Sequence, residues 1–256
     1  MRSMYFLEGI FRWIHVVAGV LWIGLLYFFN WVNSGFAPTM DAETKKKVVP
    51  ELMPRALFWF RWGAAFTWVT GVLLLLIVYY HGALLFDAGH WGLMTFLMLA
   101  IVFLGVFVYD QLVNSALKDM QTLFIAGLVI VFVVVGLMDW AAGWSFRGYA
   151  IHLGALFGTT MAFNVWFRIW PSQRTIITAT KNGEATDPAI VALAGMRSRH
   201  NTYMSVPLIF MMLNAHETWA AGRGIFAGPL VLTIVVAVGW ALTYHIYDRA
   251  AKVKGF

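Results

Sequence analysis

Long apolar segments recur seven times along this chain, and this recurrence constrains its fold more than any other feature. The segments span roughly residues 10–33, 57–80, 92–113, 122–142, 148–170, 202–219 and 226–247. A helix needs about 20 mostly apolar residues to cross a bilayer, and it satisfies its backbone hydrogen bonds internally. The sequence therefore predicts an all-α, polytopic integral membrane bundle of about seven transmembrane helices, built as a single domain over residues 1–256.

The composition agrees with a bilayer environment. Apolar residue types make up 61% of the chain and charged types only 12%, whereas soluble domains carry about 25% charged residues. The apolar run from about Ile14 to Val32 is too long for a signal-peptide core, so we expect it to form the first membrane helix. Cysteine is absent from the chain, which excludes covalently attached c-type haem, iron–sulfur clusters and thiolate metal sites.

The basic residues are distributed unevenly. The formal net charge is +6, and the cations lie in the connections between apolar runs. This arrangement suits contact with anionic membrane lipid and does not predict a nucleic-acid partner. With the N-terminus outside, 14 of the 18 lysines and arginines fall on the inner side, and the other four are Arg2, Arg12, Arg147 and Arg223. The positive-inside rule then predicts an outer N-terminus and a cytoplasmic C-terminus.

Two of the predicted connections are long. Residues 34–56 contain three consecutive lysines, and residues 171–201 begin at Pro171. Within the second connection we expect a short helix near residues 188–196, because Asp187 is a suitable N-cap. Both connections are predicted on the cytoplasmic side of the membrane.

Three histidines fall at a similar predicted depth. His15 lies early in the first span, His152 early in the fifth and His216 near the end of the sixth, so all three lie toward the outer side. Imidazoles on separate helices at one level suit axial ligation of a b-type haem. The sequence therefore predicts haem b as a cofactor held by two of these residues. For each histidine taken alone, a hydrogen bond to a neighbouring helix is the other interpretation.

A second group of polar and aromatic residues lies at the predicted cytoplasmic side. Its members are Trp166, Arg197, Arg199, His200, Asn201 and Tyr203. Guanidinium and amide groups can bind a flat anionic heterocycle through paired hydrogen bonds, and aromatic rings can stack on its faces. These residues therefore form a candidate substrate site. Their spacing alone favours another interpretation, in which cations anchor the helices and aromatic rings form an interfacial belt.

Two stretches of the chain carry a family resemblance. The first is the helical segment from Ile14 to Gly24 with its continuation from Tyr27 to Asn33, and the second includes the run Arg-Ser-Arg-His-Asn-Thr-Tyr over residues 197–203. Both are similar to the membrane domain of bacterial cytochrome-linked urate oxidases, known as the urate oxidase N-terminal domain. The resemblance extends over nearly the whole chain, and the second stretch is its more specific part.

The resemblance implies a membrane-bound oxidoreductase of the bacterial cytoplasmic membrane that oxidises urate and passes electrons to a c-type cytochrome. Our leading hypothesis places urate or a related planar compound at the cytoplasmic group of residues, where Arg197, Arg199 and Asn201 would position it and His200 would accept a proton as the ring is oxidised. Members of that family typically add a further helix and a cytochrome c domain. These 256 residues contain no Cys-x-x-Cys-His motif, so we expect the cytochrome to be a separate protein.

A non-catalytic role is the alternative. The chain would then be a transmembrane subunit of a larger respiratory or photosynthetic electron-transport complex. In that complex it would bind haem, lipid or quinone, or would only pack against its neighbours. The two hypotheses differ in whether the purified protein responds to urate.

Overall fold

A computed structural model describes residues 2–87, 89–115, 119–214 and 227–254 of the chain. Over these residues the structure is helical and contains no β-strand, apart from an isolated bridge between Phe86 and Trp144. The all-α polytopic bundle predicted from the apolar segments is confirmed.

Seven long helices make up most of the described ranges. They are α1 (Arg2–Tyr27), α2 (Ala42–Leu74), α3 (Leu93–Ser115), α4 (Met120–Gly136), α5 (Phe146–Asn164), α6 (Pro188–Asn214) and α7 (Ala227–Ala250). Several continue as π-helical turns, namely α1 through Phe28–Asn33, α2 through Leu75–His81, α4 through Leu137–Ala141 and α5 through Val165–Ile169. Beyond its π turn, α5 resumes as an α-helix over Trp170–Asn182.

Among the described residues, six helices are long and apolar enough to cross a membrane. They are Met4–Thr39, Ala42–His81, Leu93–Ser115, Met120–Ala141, Phe146–Asn182 and Gly228–Ala250. The chain is therefore a multi-pass membrane protein. Of the predicted span at 202–219, residues 202–214 belong to α6, and residues 215–219 lie outside the described part. The side on which the N-terminus lies stays a prediction.

Several helices extend beyond the apolar segments that predict them. The backbone N–H of Thr44 donates to the Asp41 carboxylate at 2.9 Å, an N-cap bond at the start of α2. Lys45, Lys46 and Lys47 therefore lie in the first turns of a helix. A search for apolar segments misses such polar turns, because it detects only the part of a helix that lies in the membrane. The start of the helix is marked by its N-cap residue.

The connection predicted from Pro171 onward is largely helical as well. Pro171 lies in the first turn of the segment Trp170–Asn182, where its missing N–H costs little. The segment ends at Gly183, whose φ of 74° is a left-handed conformation that glycine adopts freely. Asp187 then accepts the N–H of Ala189 at 2.8 Å and α6 begins. The short helix expected at 188–196 is thus the first part of α6, which continues without interruption.

The chain is divided into two compact units. Unit 1 consists of Met1–Val72, Met161–Tyr203 and Leu242–Phe256, and unit 2 of Leu73–Thr160 and Met204–Ala241. The divisions fall inside α2, α5, α6 and α7, so each of these helices contributes residues to both units.

Close packing within unit 1 depends on Gly63. A methyl group added there would lie 3.3 Å from the carbonyl oxygen of Ala18 and 3.3 Å from the backbone nitrogen of Trp22. The backbones of α1 and α2 can approach this closely because glycine has no side chain. Trp22, Leu26 and Phe60 are buried in the same unit.

In unit 2, small residues again allow helices to approach. A methyl group on Gly154 of α5 would lie 3.1 Å from Cβ of Met211, and one on Gly239 of α7 would lie 3.2 Å from the nitrogen of Pro207. Both contacts involve α6. Leu153 and Val236 are completely buried in the same unit.

Candidate functional site

Four helices bring polar side chains together inside unit 1. We call this group the polar cluster, and it consists of Asn30, Asn164, Arg197, Ser198, Asn201 and Tyr247. Its asparagines and its arginine are buried. Buried polar groups are costly unless they are hydrogen-bonded, so their mutual contacts determine what the cluster can do.

Asn30 connects three helices. Its amide nitrogen donates to the carbonyl of Leu26 at 2.9 Å and to the Ser198 hydroxyl at 2.8 Å. Its amide oxygen accepts from the Tyr247 hydroxyl at 2.9 Å. Asn30 lies in the π-helical turn Phe28–Asn33, and such turns often occur at functional sites.

The two amides of Asn164 and Asn201 bond directly to each other. The Asn164 amide nitrogen donates to the Asn201 oxygen at 2.9 Å, and the Asn201 nitrogen donates to the carbonyl of Met161 at 3.0 Å. The Asn164 oxygen lies 3.4 Å from a terminal nitrogen of Arg197, whose side chain is completely buried. This arrangement places a cation inside unit 1 beside the neutral amide oxygen of Asn164.

A second face of α6 carries Arg199 and Tyr203, which are one helical turn apart. The Tyr203 ring stacks on the Tyr247 ring at a centroid distance of 5.9 Å and an interplanar angle of 27°. The guanidinium carbon of Arg199 lies 5.4 Å from the same Tyr247 ring, while the Arg199 side chain is exposed. Tyr247 therefore connects this face to the polar cluster.

His200 is buried next to these residues and lies outside the six apolar spans. Burial of the ring, followed by the positive charges of Arg197 and Arg199, lowers the pKa of His200 to about 4. The imidazole is therefore neutral at physiological pH and can accept a proton.

Trp166, which the sequence groups with these residues, makes its contacts with α2 in unit 1. Its indole N–H donates to the carbonyl of Arg61 at 3.0 Å, and its ring meets Trp62 edge to face at 5.5 Å. These contacts connect α5 to α2. They give Trp166 a place beside Arg61.

His152 is completely buried in unit 2 and both its ring nitrogens are hydrogen-bonded. Its Nδ1 lies 2.6 Å from the carbonyl of Gly148, so Nδ1 carries the proton. Its Nε2 lies 2.8 Å from the Tyr80 hydroxyl, which must then be the donor. The rings of Trp144 and Tyr80 cover the imidazole at centroid distances of 4.6 and 5.6 Å.

His15 belongs to unit 1. Its Nδ1 lies 3.2 Å from the Thr70 hydroxyl, which itself donates to the carbonyl of Phe66 at 2.6 Å. The Thr70 oxygen therefore accepts from His15, and the proton of the neutral ring lies on Nδ1. A methyl group added at Gly71 would lie 3.0 Å from Cε1 of His15. The ring thus occupies space that this glycine leaves open.

The donor chemistry of His15 and His152 fits an axial haem ligand in one respect. An iron-ligating histidine commonly donates its other ring N–H to a carbonyl or hydroxyl, which fixes the ring and leaves Nε2 for the metal. Nδ1 makes such a bond in both residues. In His152, iron would have to replace the Tyr80 hydroxyl. His216 lies outside the described residues, and the pairing of these histidines stays a prediction.

These observations define a class, namely a polytopic α-helical membrane protein with a buried cluster of amides and one arginine in unit 1. The model of the family described as urate oxidase N-terminal matches residues 40–255. The chain therefore belongs to the urate oxidase N-terminal family. No curated protein and no solved structure matches it.

The matched range includes α6, with Arg197 through Tyr203, and it includes His152. It does not include residues 1–39, and so His15 and Asn30 lie outside it. The family assignment therefore rests on α2 to α7.

Proposed function

We propose that this chain is a urate oxidase-like oxidoreductase of the bacterial cytoplasmic membrane. It would oxidise urate or a related planar anion and deliver the electrons through haem b to a separate c-type cytochrome. The family match carries the proposal. The buried guanidinium of Arg197 beside the Asn164 and Asn201 amides supports a site for an anionic heterocycle.

Recognition of such a ring needs donors at its edge and a flat surface against its face. Arg197 and Asn201 would supply donors in the interior, and Arg199 would supply a second guanidinium at the exposed side. The Tyr203 ring would stack on the heterocycle, as it does on Tyr247. The amide pair of Asn164 and Asn201 would exchange its mutual hydrogen bond for bonds to the ring.

Oxidation of the ring removes an electron pair, and protons that leave with it need an acceptor. His200 suits this role because it is neutral at physiological pH and lies next to Arg197 and Arg199. After accepting a proton it would become a buried cation under the influence of the positive charges of Arg197 and Arg199. That state is unstable, so His200 would pass the proton on readily.

Electron transfer to the cytochrome would use haem b held by two of His15, His152 and His216. Haem supplies one-electron steps between a donor that loses an electron pair and a cytochrome that accepts one electron at a time. The protein would contribute ring orientation through the Nδ1 hydrogen bonds of His15 to Thr70 and His152 to Gly148.

The test is the rate at which urate reduces an added c-type cytochrome in the presence of the purified protein. Arg199→Ala should lower that rate at least tenfold and leave the haem content unchanged. Arg174→Ala is the matched control, because Arg174 is an exposed arginine in the helical segment Trp170–Asn182 that continues α5. Equal rates for both variants would reject the substrate site.

A non-catalytic subunit of an electron-transport complex is the second candidate. One observation favours it. The side-chain amides of Asn164 and Asn201 are hydrogen-bonded to each other inside the protein, as amides are when they only hold helices together. This reading predicts a colourless preparation that co-purifies with other subunits and does not respond to urate.

A further inference from the structure

We propose that unit 1 carries a binding site for one anionic phospholipid, formed by Arg61 and an adjoining apolar groove between α1 and α2. This site is separate from the polar cluster and does not depend on the proposed activity. Its two parts match the two parts of the lipid, which are a charged headgroup and an acyl chain.

Arg61 lies among aromatic rings. Its guanidinium carbon is 3.9 Å from the Trp170 ring centroid, 5.7 Å from that of Trp166 and 5.9 Å from that of Phe58. These contacts involve the faces of the guanidinium. The N–H groups at its edges can still donate hydrogen bonds to an acceptor.

Arg61 also lacks a counter-ion among the residues that the structure describes. No carboxylate pairs with it there, and its buried Nε has no hydrogen-bond partner. A partly buried guanidinium without an acidic neighbour favours an anion from outside the protein. A phosphate group presents oxygens in the geometry that a guanidinium binds best.

The groove has a volume of about 350 Å³ and is lined by apolar and aromatic side chains of α1 and α2. Val17 and Leu21 form one wall, while Trp62 and Phe66 form the other, with Gly63 between them. Val17, Trp62 and Phe66 are exposed at its mouth, so an acyl chain can enter sideways from the bilayer. Apart from the indole N–H groups of Trp13, Trp59 and Trp62, the side chains that line the groove carry no polar group.

Trp62 joins the two parts. It follows Arg61 in the sequence, lies 5.5 Å from the Trp166 ring and 6.0 Å from the Phe66 ring, and lines the groove. From Arg61 to Phe66 the helix advances about 7.5 Å into the apolar part of the span. Arg61 itself does not line the groove, so a lipid with its headgroup on Arg61 would pass its acyl chain over Trp62 to reach it.

The headgroup part is tested by reconstituting the protein with equal amounts of phosphatidylglycerol and phosphatidylcholine, then counting retained lipids by native mass spectrometry. We expect preferential retention of phosphatidylglycerol. Arg61→Gln should lower it about fivefold, as expected for loss of one basic group at an anionic lipid. Arg55→Gln is the matched control, since Arg55 is exposed and paired with Glu51 at 2.7 Å. Equal retention of both lipids, or equal loss in both variants, would overturn the proposal.

The acyl-chain part is tested at exposed positions, where folding is least affected. Val17→Trp fills the groove and should reduce phosphatidylglycerol retention. Val20→Trp, on the exposed surface of the same helix but outside the groove, should leave it unchanged. Soluble glycerol phosphate should not compete, because it has no acyl chain. Competition by glycerol phosphate, retention of a quinone in place of lipid, or no effect of Val17→Trp would each refute the site.

Discussion

The Tyr80 hydroxyl lies 2.8 Å from Nε2 of His152, the nitrogen that would coordinate iron. The other nitrogen of the ring bonds to the carbonyl of Gly148 at 2.6 Å. His152 is therefore held in one tautomer and one orientation, with Tyr80 as the group that a metal would displace. The proposed haem ligation can therefore be tested by substituting Tyr80.

Tyr80→Phe removes the group that competes for Nε2 of His152. If His152 is an axial ligand, this variant should bind haem at least as fully as the wild type in a pyridine haemochrome assay. In haem-free protein it should lose about 1 kcal/mol of stability, because one buried hydrogen bond is lost. Tyr244→Phe, at an exposed position of α7, is the control. Haem content well below wild type in a folded Tyr80→Phe protein would argue against ligation by His152.

Asn201→Leu tests the polar cluster as a stabilising element. The substitution removes the acceptor of the Asn164 amide and the donor to Met161, and it leaves buried polar atoms without these partners. We expect a loss of about 1–3 kcal/mol in the free energy of unfolding, measured by thermal or denaturant unfolding in detergent. Thr178→Leu should change stability by less than about 0.5 kcal/mol, since Thr178 is exposed and bonds only within its own helix. Similar losses in both variants would show that the cluster is not a stabilising network.

The lowered pKa of His200 predicts a pH-dependent stability. The folded protein holds the ring neutral down to a pKa of about 4, whereas the unfolded chain takes up the proton near pH 6.5. The unfolded state therefore binds more protons between these values, and the stability should fall as the pH drops from about 6.5 toward 4. His200→Gln should flatten this part of the profile, while His245→Gln, at an exposed position, should not. An unchanged slope in His200→Gln would contradict a neutral buried imidazole.

Gly63→Ala tests the close approach of α1 and α2. The added methyl group meets the backbone of Ala18 and Trp22 at 3.3 Å, and helix backbone cannot move away locally. We expect a loss of about 1–3 kcal/mol from overpacking. Gly24→Ala is a matched control in α1, because a methyl group there has nothing within 4 Å, and it should be neutral or stabilising by up to about 1 kcal/mol. Equal stability of the two variants would show that the helices separate easily.

The sequence could predict that the protein is an α-helical membrane protein, because the thickness of the bilayer requires long apolar segments. The helix ends could not be predicted as well. The polar first turns of α2 after Asp41 and the continuation of α5 past Pro171 depend on an N-cap bond and a π turn. Both are local backbone features that hydropathy does not detect.

The polar cluster was predictable in part. The sequence identifies Arg197 and Asn201 because many polar residues fall at their predicted depth in the membrane. Both are buried in the cluster. Ser198 and Tyr247 were missed, although a tyrosine near the end of the apolar helix α7 was a usable signal. The bond from Trp166 to the Arg61 carbonyl was not predictable, because predicted depth in the membrane does not specify the direction in which a side chain leaves its helix.

The most direct test of the account is an anaerobic titration of the purified protein with urate, followed by absorbance spectroscopy. Urate oxidation by a haem-containing membrane protein predicts a b-type haem spectrum that becomes reduced as urate is added and reoxidised by an added c-type cytochrome. A protein with bound haem that urate leaves fully oxidised, or a folded protein that holds no haem, would contradict it.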